Sequence, residues 1–265
     1  MCKIFKISRQ GYYKHLSREE KKVLNEEMIK ELVCEKRRKQ PLIGARKLYH
    51  ILKKDITASD IRIGRDKFFD ILRNSGLLIK RRKHRVMTTN SNHRFKIYDN
   101  LIKEMQVTRP DEVYVSDLTY IRTDEGFMYL ALVTDLCSRK IVGFDLSDNL
   151  TIEGSIKALK MAVKDKTLNG SIHHSDRGIQ YCSKTYTELL TNCGMEISMS
   201  EKGNPYENAV AERINGILKE EFMLCGTFKT KYIAAKAVKE AIETYNTLRP
   251  HMSIGYQTPN EKYAA

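Results

Sequence analysis

The 265-residue chain is long enough for one or two domains with a sizeable core, and its 41% hydrophobic content, free of any long polar tract, excludes general disorder. No run approaches ~18 consecutive apolar residues, so a membrane span is excluded; the opening MCKIFKISRQGYY lacks the apolar stretch of a secretory signal, so a cytoplasmic location is expected. Of the net charge of +14, residues 1–110 hold 29 Lys and Arg against 12 Asp and Glu, a balance of +17, while the remainder balances at −3; a front half this basic attracts polyanions by counterion release, so nucleic acid is the expected partner.

Along the front half, Leu24, Met28, Leu32 and Val33 recur at helical spacing and predict a helix over 17–39. Ser17 with Glu20 suits its capping box, and Pro41 follows its basic end. A second helix is expected over 45–53, and a third over 65–74 with Gly76 as its break. Two short helices of this kind are consistent with a helix-turn-helix-like module. The run Lys80, Arg81, Arg82 and Lys83 reads as a solvated linker or as phosphate contacts. TTNSNH (88–93) begins an expected linker, a short helix is predicted over 100–106, and Pro110 breaks the chain.

Beyond residue 110 the period changes. VYVSDLTYI (113–121), FMYLALVTDL (127–136) and KIVGFDLS (140–147) are rich in β-branched and aromatic residues and predict an antiparallel meander. A helix over 152–165, a strand over 171–175, a helix over 184–193, a strand over 196–199 and a final helix complete an α/β order with a mixed sheet. The six cysteines lack any C-x-x-C spacing, so neither a disulfide framework nor a zinc site is expected, and most should be reduced and buried.

Asp117 interrupts an apolar strand, where β-propensity and burial both disfavour it; Asp176 ends another strand, and Asp135 is a competing strand-end carboxylate. Coordination of a hard cation would explain such placement. Along the helix in NPYENAVAERINGILKEE (204–221), at about 100° per residue, Val210, Ala211, Ile214, Ile217, Leu218 and Phe222 share the core arc. Glu212 falls opposite them, with Asn208, Asn215 and Lys219. Glu207 reads as a helix-start residue, and Glu220 and Glu221 as surface charge.

Asp117, Asp176 and Glu212, with 35 residues between the last two and Lys219 seven beyond Glu212, resemble the signature of DDE transposases and retroviral integrases. HHSDRGIQY, GNPYENAVAERINGILKEE and YNTLRPHMSIGYQTPNE resemble the second-frame catalytic product of the bacterial insertion-sequence family numbered three. IGARKLYHILKK with IRIGRDKFFDILRNSGLL is similar to the helix-turn-helix segment preceding the core in that family.

The resemblance implies an RNase H-like core, a five-stranded mixed sheet flanked by helices, preceded by a helical helix-turn-helix-like domain. The expected organisation is a basic DNA-binding region over 1–87 (helix-turn-helix-like about 41–80), a linker over 88–110, a catalytic core over 111–225 and a C-terminal helix and tail packed on it over 226–265. Asp117, Asp176 and Glu212 are implied to hold two Mg²⁺ ions, with Mn²⁺ as a substitute, for strand cleavage and transfer at an element's ends. Lys219, Asn208, Arg46, Lys47, Arg65 and Lys67, with the run 80–83, are the expected DNA contacts. His174 either assists at the site or is structural, as is His173. The implied setting is the nucleoid, as a homodimer or larger on DNA and as a fusion with a first-frame helix-turn-helix and leucine-zipper protein. A catalytically inactive DNA-binding regulator is the alternative, and an RNase H-type nuclease a third reading.

Overall fold

The computed structural model describes residues 8–79, 95–201 and 207–265. The chain divides into two compact units between residues 82 and 83. No helix among the described residues is long and apolar enough to cross a membrane.

The first unit holds α1 (Arg9–Lys39), α2 (Ala45–Ala58) and α3 (Arg65–Asn74). α1 begins well before the expected Ser17, because Ser8 caps it: the hydroxyl of Ser8 accepts from the Gly11 amide at 3.0 Å. Ser17 and Glu20 therefore lie inside the helix rather than in a capping box. The apolar stripe is also displaced from the expected one. Ile29 and Val33 are buried, whereas Leu24 and Met28 stay 66% and 38% exposed. Ile43, Leu48, Leu52, Ile56, Phe68, Ile71 and Leu72 complete this small core. α3 has the expected bounds, and Gly76 turns the chain with φ 67°, a region that favours glycine.

The second unit is a three-layer α/β structure on a mixed sheet, an RNase H-like fold. Its strands are β1 (Val113–Thr123), β2 (Gly126–Asp135), β3 (Ile141–Ser147), β4 (Ile172–Ser175), β5 (Glu196–Met199) and β6 (Thr227–Phe228). The five main strands run in the order β3-β2-β1-β4-β5, and the short β6 adds a sixth against the end of β1. β1, β2 and β3 pair antiparallel, as tight turns require; β1, β4 and β5 pair parallel through helical crossovers. The helices are α4 (Ile152–Val163), α5 (Ile179–Cys182), α6 (Lys184–Asn192), α7 (Ala209–Glu221), α8 (Lys231–Leu248) and α9 (Pro259–Ala264).

The period-2 pattern of β2 sends Leu130 and Leu132 to a core with Ile214, Ile217 and Leu218 of α7 and Val238 and Ile242 of α8. Ala131 and Val133 face the opposite core with Ala158 and Leu159 of α4 and Leu190 of α6. At Gly143 of β3 a Cβ would stand 2.0 Å from the carbonyl oxygen of Ala158, so only glycine lets α4 approach this closely.

Residues 99–107, expected in part as a helix within a linker, instead lie along the sheet edge. Met199 N donates to Asp99 O, and Leu101 N donates to Ser198 Oγ at 2.9 Å. Ile102 and Val107 pack beside Val113, Val115 and Ile172. Tertiary pairing with β5 thus displaces the local helical pattern. Glu221, expected as surface charge, is also placed differently: its carboxylate accepts two bonds of 2.8 Å from the buried Arg249 guanidinium. Of the five described cysteines, all free, Cys137 and Cys182 are buried, Cys193 and Cys225 half-buried and Cys34 exposed, fewer buried than expected.

Candidate active site

The parallel register of β1 and β4 ends at Ser116 opposite Ser175. The next residue on β1 is Asp117, in mid-strand, and Asp176 follows directly after β4, so two carboxylates emerge on neighbouring strands where β4 ends. Open α/β sheets place ligand crevices at such strand ends. Asp117 accepts from the Leu118 amide and from Asn215 Nδ2, both at 2.8 Å. Asp176 Oδ1 accepts from the Gly178 amide at 3.0 Å, and a Cβ at 178 would stand 2.9 Å from that oxygen. Glycine at 178 therefore keeps the Asp176 carboxylate in its place.

Burial, then the Asp176 charge, push the Asp117 carboxyl up to about 7, against the stabilising bond from Asn215. Glu212, in the first turn of α7, is exposed; loss of water around its carboxyl and then Asp176 raise its pKa as well. The three carboxylates therefore share one electrostatic neighbourhood. Among the described residues no three His, Cys, Asp or Glu side chains converge on one point. Asp117 and Asp176 are paired by the strands, and the exposed Glu212 stands at the rim.

Beneath the carboxylates lies a buried polar layer. Ser116 Oγ and the Tyr186 hydroxyl both reach His173 Nε2, at 2.8 and 3.0 Å, and His174 Nδ1 meets Ser198 Oγ at 2.8 Å. Burial pushes the two imidazoles down to about 3 and about 4, which keeps both neutral. This layer ties β1, β4, β5 and α6 together by buried polar pairs. The histidines are within the sheet, and neither is exposed to solvent. Asp135, the competing carboxylate, is also fully buried and is engaged by the Ser138 amide and hydroxyl and by the Asp111 amide. It fastens a turn.

Of the expected DNA contacts, Lys219 lies within electrostatic reach of Asp117. It is half-buried, its Nζ is 4.3 Å from the Tyr120 ring centroid, and burial lowers its pKa while Asp117 opposes that shift. Asn208 is placed otherwise than expected. It is 5% exposed and donates through Nδ2 to Ser116 O at 3.3 Å, so its amide joins the start of α7 to β1 instead of facing solvent. In the first unit, Arg46 and Arg65 line a cleft of about 340 Å³ with Asp66, Phe69, Asp70 and Arg73. Arg65 pairs with Asp66, and Lys67 with Glu26 of α1. Lys47 is half-buried in the first turn of α2. Lys80, Arg81, Arg82 and Lys83 lie outside the described residues. The residue that sequence reasoning undervalued is Asn215: helical spacing set it on the Glu212 face, but only β1 packing reveals its bond to Asp117.

Residues 107–205 and 193–259 each match a family described as "Integrase core domain". The "Insertion element IS600 uncharacterized 31 kDa protein" of Shigella sonnei is 35% identical, over 99% of this chain and 98% of its own length. The "Transposase InsF for insertion sequence IS3A" of Escherichia coli (strain K12) is also 35% identical, over 72% of this chain and 67% of its own. Among solved structures, the simian T-cell lymphotropic virus intasome in complex with the PP2A regulatory subunit B56 gamma aligns at 18% identity and a TM-score of 0.50. That alignment spans 84% of this chain and 75% of the matched one, a likeness of fold.

Proposed function

The chain belongs to the IS3 family of insertion-sequence transposases, DDE-type polynucleotidyl transferases with an integrase core, and on that premise we propose that it cleaves and joins DNA strands at the ends of its element through Asp117, Asp176 and Glu212. The observation that carries this reading is the placement of Asp117 beside Asp176: burial, and after it the Asp176 charge, drives the Asp117 carboxyl to about 7. Two crowded carboxylates at a strand edge are costly to keep ionised unless a cation joins them.

The residues fit a divalent ion. The donors are all oxygens, and Asn215 Oδ1, buried and without a hydrogen-bond partner, borders them. Asp117 and Asp176 would hold Mg²⁺, or Mn²⁺ in its place, and the exposed Glu212 would turn inward to complete the set for two ions. Bound there, the metal supplies Lewis-acid activation of a water or 3′-hydroxyl and neutralises charge at the phosphate. The chain's own part is positioning. Asn215 fixes the Asp117 carboxylate, Gly178 fixes that of Asp176, and Lys219 offers a cation to the phosphate flanking the cut. DNA binding is assigned chiefly to the basic first unit, with the Arg46 and Arg65 cleft receiving backbone phosphates. Two ends must be held together for transposition, so the working form is a dimer or larger on DNA. Element-end recognition is strongest in the fusion with a first-frame helix-turn-helix and leucine-zipper partner, in a nucleoid setting.

The test is cleavage and joining of oligonucleotides carrying the element's ends by the purified protein with Mg²⁺. Asp176→Asn is expected to remove several kcal/mol of transition-state stabilisation, a loss on the order of 10³-fold, while DNA affinity is retained. Undiminished cleavage by that variant would overturn the assignment.

A further inference from the structure

One edge of β1 is open beside the carboxylates. β4 pairs only with Val113–Ser116 and β6 only with Arg122 and Thr123, so no described strand covers residues 117–121 on that side. On this stretch and its β2 neighbour, aromatic rings and cations interleave. Tyr120 and Phe127 meet edge to face, centroids 5.4 Å apart at 86°. The Arg122 guanidinium stands 5.8 Å from the Tyr120 centroid and 6.0 Å from that of Phe127, and Lys219 Nζ approaches Tyr120 from α7. Phe127 is 51% exposed, and Arg122, its partner across the ladder, is exposed as well.

This combination suits a nucleotide better than a protein side chain. A base of any identity can stack on an exposed ring, and the flanking cations suit the phosphates on either side. Along β1, at ~3.3 Å per residue, Tyr120 lies roughly 10 Å and Arg122 roughly 17 Å from Asp117, the reach of a few nucleotides from the carboxylates. The acidic turn beyond, Asp124 and Glu125, opposes a phosphate there, but Glu125 is engaged by the Lys231 amide at 2.7 Å. We infer that Tyr120, Phe127 and Arg122 form a stacking subsite for an unpaired nucleobase of the strand that Asp117 and Asp176 engage, with Lys219 on its phosphate. This rests on the reading of the carboxylates given above.

The chain contains no tryptophan, so Phe127→Trp creates a single fluorescent reporter at the subsite. The full-length variant is titrated, without metal, with a blunt DNA duplex and with the same duplex bearing a three-nucleotide unpaired extension. The extension is expected to quench the indole and to bind about tenfold more tightly than the blunt end. In the otherwise unaltered chain, Phe127→Leu is expected to erase that preference and Phe127→Tyr to keep it, with melting temperatures confirming that both fold. Equal response to the two duplexes, or a preference surviving Phe127→Leu, overturns the subsite. Quenching that grows with protein concentration in the absence of DNA assigns the surface to a second copy and also overturns it. Because no metal is present, an intact preference in a chain that never cleaves leaves the subsite standing and sinks the catalytic reading. Cleavage without the preference does the reverse.

Discussion

Asp117 shows how a single residue couples stability to pH at this site. With its carboxyl raised to about 7 by burial and by Asp176, the folded metal-free protein holds a proton there that the unfolded chain releases near pH 4. That contribution to stability is present at low pH and is lost as pH rises through about 7. Asp117→Asn carries no such charge, and the partnerless Asn215 Oδ1 can accept from the new amide after an amide flip. The variant's melting temperature, measured with chelator, should exceed that of the natural chain at pH 8, and the gap should close as pH falls from about 7 to about 4. Parallel curves would show that the carboxylate repulsion is not felt. His173, pushed down to about 3, works in the opposite sense: its stability is present above about 6.5 and is lost as pH falls toward 3, so only the difference between the two chains isolates Asp117. Asp117, Asp176 and Glu212 were singled out from strand position, chain spacing and flanking motifs, all of which can be read locally. Asn215 and Glu221 were not, since their roles depend on partners 98 and 28 residues away.

Elements were legible where local pattern and tertiary packing agree. The strand period of β1 to β3 survives into the sheet because both faces of the meander are packed, so their limits shift by no more than two residues from those expected. α1 departs because much of it lies in solvent, where Leu24 and Met28 mark no buried face. The joints between elements depend on features that propensity does not weigh. At Gly143, Ala would drive its Cβ into the Ala158 carbonyl, and the variant should lose about 1–3 kcal/mol or more as α4 is pushed from β3, read by denaturant unfolding. Unchanged unfolding would mean that the helix shifts freely. The Glu221–Arg249 pair joins the end of α7 to the chain after α8, with side chains only 14% and 2% exposed. Arg249→Met takes the guanidinium away from a mostly buried carboxylate and should cost about 3–5 kcal/mol, whereas adding Glu221→Leu should restore most of the loss. A double variant as unstable as the single one would place the effect in Arg249 packing instead.

At the scale of the whole molecule, charge and fold divide at nearly the same point. Residues 1–82 carry 23 Lys and Arg against 10 Asp and Glu, a balance of +13, and residues 83–265 balance at +1. The change of period and Pro110 placed the boundary near residue 110, because local pattern cannot reveal that residues 99–107 pair with β5 and pack beside β1 and β4. With the positive charge concentrated in the small helical unit, DNA affinity should be dominated by phosphate contacts and be steeply dependent on salt. If six to ten phosphates are engaged, affinity falls by roughly 10³–10⁵ between 50 and 200 mM salt. Arg46→Ala and Arg65→Ala, each removing a cleft cation, should flatten the plot of log affinity against log salt by about one unit apiece. Asp176→Asn, in the second unit, should leave the slope unchanged. Fluorescence anisotropy with one labelled duplex over that salt range measures all four chains. A slope that ignores the arginines would move the phosphate contacts away from this cleft, to basic residues elsewhere in the chain.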